Sequence, residues 1–321
     1  MKKSFFPLTI GMPVYNEEGY IGEAIESLLS QTYKDFILII SDNASTDRTS
    51  QICKLYAEKD KRIIFLKHDK NNGAYFNFKF VLDKADTPFF MWCGGHDKCS
   101  PQLVEKLIFL IQKNDLALIY AQTREIKIDG TLGDIYEDDY TTSRIEGPAD
   151  RYLYILKNIG RCNIFHGIWK TQVLKKCYFK PIIGCDVLIL LQAALYGKFQ
   201  QYNQLLFFRR TVREETNQHF RQFRDITGNR ARKIPNNLFL KGKFISENIK
   251  MLYEADSQLS AASKFFLSVQ TAYTWITKLY ILFPLGEICK KIMPGKVYLS
   301  LKDKIKNKKT VIKGFKNVKA D

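Results

Sequence analysis

Five short runs in which almost every residue is apolar recur along residues 8–123: LTIGMPV (8–14), FILIIS (36–41), RIIFLKH (62–68), PFFMWC (88–93) and LALIYAQT (116–123). Stretches with helical spacing separate them, over residues 17–31, 47–58, 76–85 and 103–112. A strand that is apolar on both alternating faces must be covered on both, and strands joined through helices run parallel. The expected fold is therefore α/β, a mostly parallel sheet flanked by helices. At 321 residues and 45% hydrophobic content, the chain is long and apolar enough to bury a large core.

The next segment, 124–150, is polar and punctuated by Asp129-Gly130 and Gly147-Pro148, which predicts loops and short hairpins. A helix is expected over 149–158, a strand over NIFHGIWK (163–170), and an apolar helix over 186–196 after a break at Gly184. LLFFRR (205–210) closes this core. Composition then changes, with Arg221, Arg224, Arg230, Arg232 and Lys233 close together and helical patterns resuming near 237. We place a boundary near 215, giving a first domain over 1–215 and a helical, basic C-terminal extension over 216–321. Residues 264–293 are largely apolar, but Lys278, Pro284 and Glu287 keep any uncharged run below the roughly 20 residues a membrane span requires.

The formal net charge of +17 calls for an anionic partner. No RNP-type strand, zinc finger or other nucleic-acid module accompanies it, so nucleic acid is not expected. A phosphorylated ligand and an anionic membrane surface remain, the latter met by residues 265–293 and the lysine-rich tail that follows. The seven cysteines are scattered without a CxxC pair, which fits a reducing cytosol better than a disulfide framework. The first 18 residues reach Asn16, Glu17 and Glu18 before any long apolar region, arguing against a signal peptide.

Two polar loops follow neighbouring strands: Tyr15-Asn16-Glu17-Glu18, and Ser41-Asp42-Asn43-Ala44-Ser45-Thr46-Asp47. In open α/β sheets, ligands bind at that carboxyl edge. Neither loop contains GxGxxG or GxxxxGK[ST], which removes the main support for a dinucleotide-binding or P-loop enzyme. Ser45-Thr46-Asp47 also reads as an ordinary helix start, and Asp47 is assigned mostly to capping.

The segment PVYNEEGYIGEAIESLLSQTYKDFILIISDNASTD (13–47), the Asn71-Asn72-Gly73 turn with Asn77, PFFMWCGGHDK (88–98) and GCDVLILLQAALYGKF (184–199) occur in that order. Together they resemble the inverting family 2 glycosyltransferases, over roughly residues 8–210. The resemblance implies a GT-A fold and a nucleotide-sugar donor. It puts Pro13, Tyr15 and Glu17 in the nucleotide pocket, Asp42 on the base or ribose, and Asn71 and Asn77 with them. It assigns Asp97 to a divalent metal, Mg2+ or Mn2+, in a loop where Gly95 replaces an expected acid and Lys98 follows. His96 is read as a solvated loop residue. The resemblance also makes Asp186 the base that takes the acceptor hydroxyl proton, although Asp before an apolar helix is equally a standard cap.

Arg209, Arg210 and Arg213 follow the last core strand and are candidates to meet the leaving diphosphate. No QxxRW occurs, which points to addition of one sugar rather than processive synthesis. The expected activity is transfer from a nucleotide sugar, read as UDP-linked, to a glycan or lipid-linked glycan hydroxyl. A weak or inactive donor-binding scaffold in a glycan-assembly complex is the alternative.

Overall fold

A computed structural model of the chain describes residues 7–137, 139–160, 162–212, 237–255 and 259–282. Arg213, the basic cluster from Arg221 to Lys233 and the lysine-rich tail lie outside the described residues. The chain divides into two compact units, residues 1–271 and 272–321; only the end of the last helix is described in the second.

The first half follows the expected alternation: β1 (Leu8–Val14), α1 (Ile21–Leu29), β2 (Phe36–Asp42), α2 (Thr49–Lys59), β3 (Ile63–Lys67), α3 (Ala74–Asp83) and β4 (Phe89–Trp92). These strands form a parallel half-sheet in the order β3-β2-β1-β4. Register places Pro13 opposite Ser41 and Val14 opposite Asp42, so the two polar loops leave the sheet side by side. Gly11 permits α3 to lie close on β1, since a Cβ there would sit 2.8 Å from Val81 Cγ2.

The second half comprises β5 (Lys98–Cys99), α4 (Leu103–Lys113), β6 (Leu116–Ile126), β7 (Leu132–Tyr136), α5 (Pro148–Asn158), β8 (Ile168–Lys170), α6 (Thr171–Lys176), α7 (Cys185–Tyr196) and β9 (Lys198–Arg210). Here the sheet is mixed. β8 lies antiparallel between β4 and β6, β9 runs parallel to β6, and β5 caps the edge antiparallel to β9. β7 folds back on β6 through a turn at Gly130, whose φ of 84° is left-handed.

One face of the sheet carries α1 and, over the mixed half, α4. Ile25, Leu28, Leu107 and Ile111 are buried with Leu8, Ile10 and Leu38 in one cluster. Full burial of each such side chain is worth about 1.5–3 kcal/mol. The fully buried Gln31 ties these helices together, donating to Ser27 O (2.9 Å) and Ser100 O (2.8 Å) and accepting from Val104 N–H (3.0 Å). A buried amide with all these bonds made fixes the helix pairing without an unpaired polar group.

Three local expectations are corrected. Residues 163–170 are not one strand: Asn163–His166 form a 3-10 turn, and only Ile168–Lys170 pair. The turn is held by polar bonds from Asn163 and His166, described below. The closing strand starts at Lys198 rather than 205 because it pairs along β6 from Leu116 onward. Asp186 is not the residue that caps α7: Gly184, with φ 84°, occupies that place, and Asp186 lies inside the first turn.

Beyond the expected boundary near 215, α8 (Asn237–Glu254) still belongs to the first compact unit. Phe244 lies against Gly184, and Asn248 Oδ1 accepts from Tyr152 Oη at 2.6 Å. The final helix, α9 (Ala261–Leu282), carries exposed Phe265 and Phe266. Among the described residues, no helix is long and apolar enough to cross a membrane.

Candidate active site

The first polar cluster forms where β1 and β2 end. Asp42 is fully buried: Oδ1 accepts from Ser45 N–H (2.9 Å) and Ser45 Oγ (2.5 Å), and Oδ2 accepts from the Ser50 hydroxyl. Asn16, in the left-handed region at φ 55°, donates from its backbone to Ser45 Oγ at 2.9 Å and accepts from Thr46 N–H at 2.9 Å. Glu17 N–H donates to Thr49 Oγ1 at 2.7 Å. The two loops are thus stitched into one surface. Asp47 accepts from Thr49 N–H (2.9 Å) and Glu18 N–H (3.1 Å); the cap position of α2 is occupied by Arg48 rather than by Asp47, which holds the first helical N–H from the residue before the cap.

Asn77 is also buried and fully engaged. Its Nδ2 donates to Ser41 O (2.8 Å) and Val14 O (3.3 Å), and its Oδ1 accepts from Ser41 Oγ (2.6 Å). With its hydroxyl proton committed there, Ser41 can only accept from His68 Nε2 at 2.9 Å, which assigns that proton to Nε2. Asn71 Oδ1 accepts from Gly73 N–H (2.8 Å) and Asn43 Nδ2 (3.0 Å), shaping the turn before α3. Asp42, Asn71 and Asn77 therefore hold the loop backbones in this arrangement. Pro13 is buried in β1 beneath them, and Tyr15 is half-buried at the strand's end.

The second cluster is the loop between β4 and β5. Asp97 is 1% exposed, yet its two oxygens differ. Oδ1 accepts from Arg210 N–H at 3.0 Å, whereas Oδ2 has no hydrogen-bond partner among the described residues. His96 Nδ1 lies 2.9 Å from Glu17 Oε1, and its Nε2 is 3.9 Å from Asp97 Oδ1. Burial pulls the His96 pKa down, but Asp97 and Glu17 outweigh it and leave the imidazole above its ordinary value. His96 is thus a bonded member of the site, not the solvated loop residue expected from sequence.

Arg210 holds this loop rather than reaching outward. Its Nε donates to His96 O at 3.1 Å, its Nη2 pairs with Glu23, and its guanidinium lies 4.8 Å from the Tyr20 ring centroid. Lys98 Nζ pairs with the other Glu23 oxygen at 2.6 Å.

Arg209 behaves differently. It is exposed, and its Nη1 donates to Asn163 Oδ1 at 2.6 Å. Beside it, His166 stacks on Phe207 with ring centroids 5.1 Å apart and an interplanar angle of 14°. Neither Asn163 nor His166 was read as a site residue, because NIFHGIWK passes for a buried strand. The signal available was two polar residues spaced three apart inside it.

Asp186 stands at the start of α7. One oxygen accepts from Val187 N–H at 3.0 Å, and no basic side chain pairs with it among the described residues. The Tyr75 ring lies 6.4 Å from that of Phe179, which is in turn 6.1 Å from Trp92 at the end of the strand that feeds the Asp97 loop. The structure thus brings Glu17, Asp97 and Arg210 together and gathers Asp42, Asn71 and Asn77 at the same sheet edge, whereas Arg209 is bonded to Asn163 and Asp186 sits in the first turn of α7.

Metal fit rests on Asp97. Among the described residues, no group of three His, Cys, Asp or Glu side chains could hold an ion alone. A hard cation that keeps several waters and takes phosphate oxygens needs only one or two protein oxygens, and the unpartnered Oδ2 offers one. The second acid is closed off by packing. A Cβ on Gly95 would meet Val14 Cγ1 at 2.8 Å and Ile21 Cδ1 at 3.2 Å.

Comparison with known proteins agrees with this architecture. The chain is 32% identical over 128 residues to an uncharacterized glycosyltransferase of Methanocaldococcus jannaschii, covering 39% of this chain and 44% of the relative. It is 25% identical over 174 residues to glycosyltransferase GlyA of Streptococcus pneumoniae, covering 52% of this chain and 22% of that protein. The chain thus spans less than half the length of either relative. The crystal structure of S. aureus TarS 1–349 in complex with UDP-GlcNAc superposes with a TM-score of 0.63 at 17% identity, covering 90% of this chain and 76% of that one. The fold is the GT-A fold of such structures. The family described as Glycosyl transferase family 2 matches residues 9–176, just over half of the chain, and the chain belongs to that family.

Proposed function

We propose that this chain transfers one sugar, with inversion, from a UDP-linked donor to a glycan or lipid-linked glycan hydroxyl. The observation that carries the reading is Asp97: a buried carboxylate with one oxygen fixed by Arg210 and the other unpartnered, at the ligand-binding edge of a family 2 sheet. The UDP-GlcNAc complex of the TarS neighbour supports a uridine donor. The catalytic domain is read as 1–215, with 216–321 as its helical, basic extension.

In this reading, Pro13, Tyr15 and the loop stitched by Asp42, Asn71 and Asn77 form the nucleotide wall. Asp97 would hold Mg2+ or Mn2+; when bound, the ion supplies positive charge to the leaving diphosphate. Arg209, next to Arg210 on β9, adds positive charge, while Arg210 fixes the Asp97 loop. The unpaired carboxylate of Asp186 takes the acceptor hydroxyl proton as the oxygen attacks the anomeric carbon in line.

The alternative, a donor-binding scaffold without turnover, is favoured by one observation: Val14 and Ile21 fill the space an acid at position 95 would need. A panel of UDP-hexoses and UDP-N-acetylhexosamines, assayed with Mg2+ or Mn2+ for binding and slow hydrolysis, separates the two. Selective, metal-dependent hydrolysis is expected; binding without hydrolysis or transfer supports the scaffold. Asp186→Ala should retain donor binding and lose transfer, and wild-type transfer by that variant would remove the base assignment.

We also place the protein on the cytoplasmic face of a membrane, held through exposed Phe265 and Phe266 and the lysine-rich tail. Co-sedimentation with anionic but not neutral vesicles is expected, and equal behaviour with both would contradict it.

A further inference from the structure

His166 plays no part in the chemistry assigned above, yet it sits on the wall that carries Arg209. Its Nδ1 lies 3.3 Å from the Trp92 carbonyl oxygen. A carbonyl only accepts, so Nδ1 carries the proton and Nε2 keeps its lone pair. Nε2 has no hydrogen-bond partner among the described residues. Burial lowers the pKa of the ring against the opposing pull of Asp97, with Arg209 adding to the lowering. The imidazole is therefore a neutral acceptor, its orientation fixed by Phe207 beneath and Trp92 behind.

Asn163, at the other end of the same 3-10 turn, is buried, and its Nδ2 has no partner among the described residues. Rotating the amide would turn that donor onto the Arg209 donor 2.6 Å away, so Oδ1 must face the guanidinium. The amide thus serves Arg209.

We propose that His166 Nε2 accepts a hydrogen bond from a hydroxyl of the transferred sugar, and that Asn163 positions Arg209 beside it. The proposal rests on the nucleotide-sugar reading. Two observations select the sugar rather than the diphosphate. Trp92 ends the strand feeding the Asp97 loop, and Arg209 adjoins the residue whose N–H holds Asp97, so His166 borders the diphosphate end of the site. A diphosphate ester offers no proton at neutral pH and would meet Nε2 lone pair to lone pair, whereas a sugar hydroxyl donates.

The test measures donor KM and kcat for hydrolysis of the UDP-hexose and UDP-N-acetylhexosamine panel without acceptor, together with the Kd of UDP alone. His166→Phe keeps a ring on Phe207 but removes the acceptor, and should raise donor KM about tenfold with kcat within about threefold. It should leave UDP binding unchanged, since UDP lacks the sugar. His166→Gln restores an acceptor and should recover most of the loss; Asn163→Ala should weaken UDP itself. Wild-type donor KM in His166→Phe, or equal weakening of donor and UDP, would overturn the assignment while leaving the function intact. Failure of the wild-type protein to bind UDP or to hydrolyse any donor would overturn both.

Discussion

Arg210 donates its backbone N–H to Asp97 Oδ1 at 3.0 Å, across 113 residues of sequence. The last strand of the sheet thereby orients the carboxylate in the loop after β4, while the Arg210 side chain holds the His96 carbonyl and Glu23. Because the bond to Asp97 comes from the main chain, Arg210→Ala should keep it and lose only the side-chain bonds. Glu23 is half-exposed and retains Lys98, so solvent screening limits the loss to about 1–2 kcal/mol. Urea unfolding should show this modest loss, with a larger proportional fall in donor hydrolysis as the loop loosens.

Gly95→Asp restores the missing acid in name only. Its Cβ would press on Val14 and Ile21 in a filled space, a strain of about 1–3 kcal/mol. The variant should unfold at lower urea without gaining metal affinity. Val14→Ala combined with it should recover stability, and calorimetric titration with Mn2+ then tests whether a second carboxylate strengthens metal binding.

Asn77→Ala removes three buried hydrogen bonds, those to Ser41 O, Val14 O and Ser41 Oγ, while Val14 O keeps the Asn43 N–H at 3.0 Å. The expected cost is about 2–4 kcal/mol. Denaturant unfolding measures the cost directly, and Asn77→Asp should not rescue it because a carboxylate cannot donate to those carbonyls.

The pKa values of the two site histidines should be shifted in opposite directions in metal-free protein. His96 is raised, so protonated His96 contributes stability that is fully present below its unfolded pKa and is lost as pH rises through the higher folded value. His166 is lowered by burial, so its contribution is present above its unfolded pKa and is lost as pH falls through the lower folded value. Proton NMR of the imidazole Cε1–H signals, assigned with His96→Gln and His166→Gln, should place the His96 midpoint at the higher pH. The reverse order would contradict the geometry.

The parallel half-sheet was legible because its runs are apolar at consecutive positions, as in Leu38-Ile39-Ile40 and Phe90-Met91, which puts buried side chains on both faces. Glu17 was legible at the carboxyl edge because strand and helix alternation brings loop ends together, and Asp97 through the resemblance to the family 2 glycosyltransferases. The employment of individual polar groups was not. Whether Asp42 faces a ligand or Ser45 and Ser50, and whether Arg210 points outward or toward Glu23, depends on side-chain directions that periodicity does not encode. Asn163 and His166 escaped notice because Ile164, Phe165, Ile168 and Trp169 around them read as a continuous strand. Their bonds to Arg209 and Trp92 join segments 46 and 74 residues apart.

The central claim is most directly tested at Asp97 by Asp97→Asn, which keeps an oxygen to accept the Arg210 N–H and removes the charge. Metal-dependent hydrolysis of the preferred UDP-sugar should fall about 100-fold or more while the urea midpoint moves little. Hydrolysis at the wild-type rate in a folded Asp97→Asn protein would contradict the account.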